Sequence, residues 1–222
     1  MNLIKKTLLI ILSLIIFSCS KYEEDLVIKK DIKVLVVGNS IVKHSPASYL
    51  GWYGDWGMAA TSPDKDFLHV YNKLLQVSNK YKYVDVNSKN IAVWENDFTY
   101  NLNEFVDITS QSYDILIVRL GENVSNTAEY YTSLNNMINL FKTQNAKVII
   151  TGIVWENEFK ENIHKQIANE NGYKYISFDE FRGVSNNYAW GLFENSAVAA
   201  HPSDLGMQKI GQLLYDATIE IY

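Results

Sequence analysis

The chain has 222 residues, 47% hydrophobic and 20% charged, which suits one globular domain with a good core. A formal net charge of −5 argues against nucleic acid as a partner. Fifteen tyrosines and five tryptophans supply core, and any that are exposed can stack on sugar rings.

Residues 1–18 read as an export leader. Lys5 and Lys6 precede an apolar stretch, Leu8 to Phe17, that is too short to span a bilayer comfortably. The segment Ile16-Phe17-Ser18-Cys19 resembles a bacterial lipobox, with the bulky Phe17 where many carry a smaller residue. Cys19 is the only cysteine, so no internal disulfide is possible. The resemblance implies cleavage before Cys19 and acylation of its thiol; an ordinary secretory signal with a stray cysteine is the alternative. Cleavage would leave 204 residues of formal charge −7, since Lys5 and Lys6 are the only charges removed. Residues 19–31 then form a lipidated cysteine and a polar tether, anchored to a membrane through Cys19. The acidic residues that follow Cys19 resemble a surface-export signal of some Gram-negative lipoproteins. The expected location is the cell envelope, at the outer membrane.

The first strand is Lys33 to Gly38, where Val34, Leu35, Val36 and Val37 form an apolar β-branched run closed by a glycine. A long aromatic segment, Val42 to Ser62, follows; a loop of that length in a compact domain is usually functional. Residues 63–79 are expected to form an amphipathic helix, with Ser62 as cap and Pro63 in its first turn. Tyr83–Val86 and Asn90–Val93 suggest a second strand interrupted near Asn87-Ser88, and a helix is expected over about 98–110. Tyr113 to Val118 is a buried strand that ends at Gly121. Thr127 opens a helix carrying Tyr130, Leu134, Ile138 and Phe141 on one face. Lys147–Thr151 is a strand, 157–171 a helix stopped by Gly172, and Tyr173–Phe178 a strand. Pro202 and Ser203 precede a last helix. Strands alternate with helices five times, which argues an α/β fold with a parallel sheet covered on both faces. Only one glycine follows the first strand in Gly38-Asn39-Ser40-Ile41, so neither a phosphate loop nor a dinucleotide site is expected there, and no cofactor.

Asn39 and Ser40 lie where an open α/β sheet places its ligands. The same residues also suit an ordinary strand–turn junction. A serine hydroxyl is a weak nucleophile until a base takes its proton. Of the four histidines, His69 and His164 fall inside helices and are expected on the surface or in structural pairings. His44 can line a pocket near Ser40. His201 is the candidate base, held on a loop before the last helix by Pro202. An oxyanion would need donors already in place, and the Asn123 amide and the Ser40 N–H can supply two. Residues of metal-ligand type near His201 are too sparse for a metal site.

At these residues the chain resembles the GDSL/SGNH hydrolases. Gly38-Asn39-Ser40-Ile41 is similar to their first block, with Asn39 in the usual aspartate position. Gly121-Glu122-Asn123 resembles their Gly-x-Asn block, and His201-Pro202 their last. Gly51 to Ala60 also resembles a bacterial subgroup. The resemblance spans about residues 32–221. It implies a three-layer α/β/α sandwich on a flavodoxin-like parallel sheet of about five strands, with the hydrolase-like domain over 32–222. It also implies a serine esterase acting by acyl transfer, with Ser40 and His201 catalytic. Carbohydrate esters are the expected substrates, small or polymeric. A catalytically impaired glycan-binding lipoprotein on the same fold is the alternative. Two positions depart from the pattern. The second block has no glycine in Ala92-Val93-Trp94-Glu95-Asn96, so the third oxyanion N–H is assigned to Glu95, with Trp94 or Gly57 as alternatives. The residue three before His201 is Val198 rather than an aspartate. Either a Ser40–His201 dyad operates with Nδ1 on a backbone carbonyl, or Glu194 or Asp204 orients the imidazole; Asp204 more naturally caps the last helix. Trp52 and Trp56 are read equally as a sugar platform or as packing. Trp94, Trp155 and Trp190 are read as packed, with Trp94 and Trp155, which follow strands, able instead to line the cleft, and Glu122 as an exposed filler.

Overall fold

The computed structural model describes residues 29–222. The predicted leader, Cys19 and most of the tether lie outside the described residues. A five-stranded, fully parallel sheet runs through the molecule in the order β2-β1-β3-β4-β5. Its strands are β1 (Lys30–Gly38), β2 (Tyr81–Asn90), β3 (Ile115–Arg119), β4 (Lys147–Thr151) and β5 (Lys174–Ile176). Strand β1 therefore begins at Lys30, two residues inside the predicted tether.

Side chains alternate across the central strands and sort into two cores. Val34, Val36, Ile117 and Ile149 pack against Phe67, Tyr71 and Leu75 of α1 (Phe67–Val77) and against Ile210 and Leu214 of the C-terminal helix Asp204–Ile221. On the opposite face Leu35, Val37, Leu116 and Val118 meet Tyr130, Leu134 and Ile138 of the helix Tyr130–Phe141 and Ile163 and Ile167 of the helix Glu158–Asn171. This is the three-layer α/β/α sandwich with a central five-stranded parallel sheet. Each fully buried Leu or Ile contributes on the order of 1.5–3 kcal/mol, and both faces hold many.

Local boundaries moved where short-range chemistry outweighed periodicity. Pro63–Lys65 forms a separate 3₁₀ turn, and Asp66, not Ser62, caps α1 by accepting from the His69 N–H. The second strand is continuous through Asn87-Ser88 and ends at Asn90, and Ala92–Asn96 is a short helix, α2, where strand was expected to run on to Val93. The helix expected over 98–110 is a 3₁₀ turn, Leu102–Glu104, followed by α3 (Val106–Thr109). The remaining helices are α4 (Tyr130–Phe141), α5 (Glu158–Asn171), α6 (Asp179–Arg182), α7 (Ser196–Ala199) and α8 (Asp204–Ile221). Gly38 does not make a left-handed turn. It is required because a Cβ there would lie 2.1 Å from Val42 Cγ2 and 2.7 Å from the Arg119 carbonyl oxygen.

Candidate active site

In an open parallel sheet the loops that leave the carboxyl ends of the strands share one rim. Ser40 leaves β1, Glu95 follows β2, Glu122 and Asn123 follow β3, Val154 and Trp155 follow β4, and His201 arrives before α8. The Ser40 turn is held by Val42 and Lys43 N–H groups donating to the Asn39 carbonyl (2.9 and 3.2 Å) and by the Met58 N–H donating to the Ser40 carbonyl (2.9 Å). The Ser40 N–H itself meets no acceptor among the described residues.

Ser40 Oγ lies 2.7 Å from His201 Nε2. His201 Nδ1 lies 2.8 Å from the Ala197 carbonyl oxygen. A carbonyl can only accept, so Nδ1 carries the proton and Nε2 presents a lone pair to the Ser40 hydroxyl. The geometry comes from α7, which Asn195 caps, and from the His201 N–H donating to the Val198 carbonyl (3.0 Å). His201 is 6% exposed, and the Trp155 ring packs on it edge-on at 5.7 Å. Burial pushes the imidazole down to about 4, against the Ala197 carbonyl and the Glu122 charge, which both favour the protonated form.

Neither predicted acid orients His201. Glu194 is exposed on the loop before α7. Asp204 turns away to accept from the Thr61 N–H (2.8 Å) and hydroxyl (2.7 Å) and to pair with Lys65 (3.0 Å). It does not cap α8 either; Ser203 does, accepting from the Gly206 N–H. Val198 is fully buried among Trp52, Met58 and Ala189, so the expected acid position is apolar core. A peptide carbonyl does the orienting.

On the opposite side the charges are dense. Glu95 is 1% exposed, and its side chain, for which no part was predicted, reaches the site. The Glu95 carboxylate accepts from the Gly121 N–H, from Asn123 Nδ2 (2.7 Å) and, at greater length, from Asn39 Nδ2 (3.4 Å). Asn39 Nδ2 also donates to Glu122 (2.8 Å), whose other oxygen accepts from the Val154 N–H (2.9 Å). Arg119 Nη1 is shared between both Glu122 oxygens at 2.7 and 2.8 Å. The Glu122 side chain is 1% exposed, so it is a buried ion-pair partner and not an exposed filler. Burial pushes Glu122 up, but Arg119 and its other donors hold it below the usual carboxylate range. Burial, and then the Glu122 charge, push Glu95 up to about 7 against its three donors. Asn39 is thereby explained: an aspartate there would be a third carboxylate on two others. The Gly57 N–H is engaged by Asp66 (3.2 Å) and so does not face the site as a free donor.

The aromatic segment folds on itself. His44 and Trp56 form an antiparallel bridge, as do Ala47 and Trp52. His44 is half-buried, its Nδ1 donating to the Ser45 carbonyl (2.6 Å). Trp52 is 3% exposed, edge-on to Trp56 at 5.5 Å, with its N–H on the His44 carbonyl (3.0 Å). Trp52 is therefore packing, whereas Tyr49 and Tyr53 are the exposed rings of this segment. Trp52, Tyr53, Trp56, Leu192 and Phe193 border a cleft of about 450 Å³. Trp94 is buried as expected, but Trp190 is half-exposed. His164, expected on the surface or in a structural pairing, is fully buried and pairs with the Tyr130 hydroxyl at 2.6 Å.

No protein-family model and no curated protein matches the chain. Solved structures do. A two-domain esterase active on acetylated mannans, co-crystallized with mannopentaose, is 13% identical over 86% of this chain with a TM-score of 0.56. This chain spans half of that one's length. An α/β hydrolase from the metagenome of Lake Arreo, Spain, is 15% identical, covers 88% of this chain and 99% of its own, and has a TM-score of 0.60. A candidate GDSL-like lipase from Bacteroides uniformis is 14% identical, covers 87% and 97%, and has a TM-score of 0.52. The fold is that of the GDSL/SGNH hydrolases. On the SGNH fold the three sequence blocks, at Ser40, Asn123 and His201, come to one rim. The second block enters through the Glu95 carboxylate. Sequence reasoning missed the parts played by Glu95, Glu122 and Arg119. The available signal was charge in apolar surroundings: Arg119 ends an otherwise apolar strand with Glu122 three residues on, and Glu95 follows Trp94.

Proposed function

We propose that the protein is a serine esterase acting by acyl transfer on carboxylic esters, with acetylated carbohydrate as its substrate class. The Ser40–His201 contact of 2.7 Å, with Nδ1 engaged by a carbonyl, is the observation that carries this reading. Ser40 Oγ attacks the ester carbonyl carbon as its proton passes to Nε2. The tetrahedral oxyanion is met by the Asn123 amide and the unengaged Ser40 N–H. The carbon–oxygen bond to the alcohol breaks, and that alcohol takes the proton from Nε2. Water then attacks the acyl-serine, gives its proton to Nε2, and the acid departs as the proton returns to Ser40. The Ala197 carbonyl dipole and the Glu122 charge favour the transient imidazolium, the task an aspartate performs in a triad.

Exposed Tyr53 in the aromatic cleft, and the mannan esterase among the structural neighbours, support a sugar-bearing substrate. The sequence supports an envelope lipoprotein with signal peptide 1–18, an acylated Cys19 and tether, and the hydrolase domain after it; palmitate labelling lost in Cys19→Ala would test that anchor. The activity is tested with p-nitrophenyl acetate and acetylated mannan. Ser40→Ala and His201→Ala are each expected to lower kcat at least about 10³-fold. Equal rates in wild type and Ser40→Ala would overturn the mechanism. The buried Val198 favours one second reading, a glycan-binding lipoprotein without turnover; binding without hydrolysis by the wild type would establish it.

A further inference from the structure

We propose that Glu95 is a positioning residue whose carboxylate aims the Asn123 amide at the oxyanion; this rests on the esterase reading above. A side-chain amide has two ends of nearly equal size, and turning it over exchanges a donor for an acceptor. Only what faces Asn123 decides which end is which. Glu95 Oε2, 2.7 Å from Nδ2, holds the NH₂ group on that side and leaves its second hydrogen for the intermediate. Glu95 is fixed in turn: its other oxygen accepts from the Gly121 N–H and from Asn39, the residue before Ser40. One carboxylate thereby ties the nucleophile turn to the oxyanion turn. All three of its partners donate, so the site requires acceptors at both oxygens, and a proton on Glu95 removes one.

The charged and titratable groups around Glu95 come from every packed element. Glu122 belongs to the β3 end, Tyr130 to α4 and Lys160 to α5, with Arg119 one step out on Glu122 and His164 one step out on the Tyr130 hydroxyl. Burial and Glu122 outweigh the donors, and Glu95 titrates near 7. Acidification through neutrality therefore loosens Asn123 well before His201, near 4, is protonated.

The test is steady-state hydrolysis of p-nitrophenyl acetate between pH 4.5 and 9 by wild type, Glu95→Gln, Asn123→Ala and the double variant. A glutamine presents an NH₂ group that turns the Asn123 amide over. The expected result is a kcat about 10²-fold lower in each single variant, with KM changed less than about twofold. The double variant should be no slower than Asn123→Ala alone, because Glu95 acts through Asn123. In wild type, kcat/KM should fall as pH drops through about 7, and Glu95→Gln should lack that step. Multiplying losses, an unchanged step, or a kcat in Glu95→Gln close to wild type would overturn the proposal. Should the glutamine variant not fold, judged by circular dichroism, Asn123→Ala decides alone: the step must vanish there too. An active Ser40→Ala would sink the esterase reading itself, an outcome distinct from a normal Glu95→Gln beside a dead Ser40→Ala.

Discussion

The two sides of the rim keep their charge in opposite ways. Around His201 the partners are a carbonyl, an indole edge and the buried Val198, and neither candidate acid reaches the ring. Beneath Asn123 two carboxylates and a guanidinium are packed together, 1%, 1% and 0% exposed. The difference teaches that on this rim the anionic charge lies within electrostatic reach of the imidazole without touching it. Glu122 acts on the imidazole through space, while the contact at Nδ1 is neutral.

The largest effect should come from unbalancing the charged side. Arg119→Met would leave Glu122 buried without its counter-ion and cost about 3–5 kcal/mol. A melting temperature lower by about 10 °C or more is expected at pH 7. An unchanged melt would mean that Arg119 does not balance the buried Glu122 charge. Next comes the attempt to make the neutral side resemble the charged one. Val198→Asp would place a carboxylate among Trp52, Met58 and Ala189, and should destabilise by about 2–3 kcal/mol without raising kcat. A gain in activity would show that the carbonyl is an inferior orienting group and would erase the contrast.

The smallest effect sharpens the comparison through pH. His201, depressed to about 4, binds fewer protons folded than unfolded between about 4 and 6.5, so its contribution to stability rises with pH there. Glu95, raised to about 7, binds more protons folded than unfolded between about 4.5 and 7, so its contribution falls with pH over nearly the same window. The two slopes oppose each other. Relative to wild type, His201→Ala should lose stability from pH 5 to 6, and Glu95→Gln should gain it. Each slope is at most about 1.4 kcal/mol per pH unit, read from urea midpoints. Slopes of the same sign in both variants would contradict the assignment of the two environments.

How much of this was legible depends on burial. Val34–Val37, Ile115–Val118 and Val148–Ile150 are covered on both faces and so read as unbroken apolar runs. The edge strand β2 is half-buried along most of its length and mixes Lys82, Asp85 and Lys89 among its apolar residues, so it read as two pieces. Five-residue α2 is too short to show a helical period. That Ser40 and His201 would meet could be argued because each ends or precedes a strongly patterned element. The pairing of Glu95 with Asn123 and Asn39 could not, because it needs three loops whose convergence no local pattern records. The orienting carbonyl was foreseen as one option, yet its owner, Ala197, carries no chemical signal at all.

A peptide oxygen cannot be removed by exchanging one amino acid for another. The imidazole's orientation is thus insulated from point substitution at residue 197 and depends instead on the four-residue spacing from Ala197 to His201. Insertions and deletions in that turn, rather than replacements, are the changes to which this hydrogen-bond geometry is exposed. A lineage carrying it could alter every side chain between α7 and the histidine while leaving the proton on the same ring nitrogen.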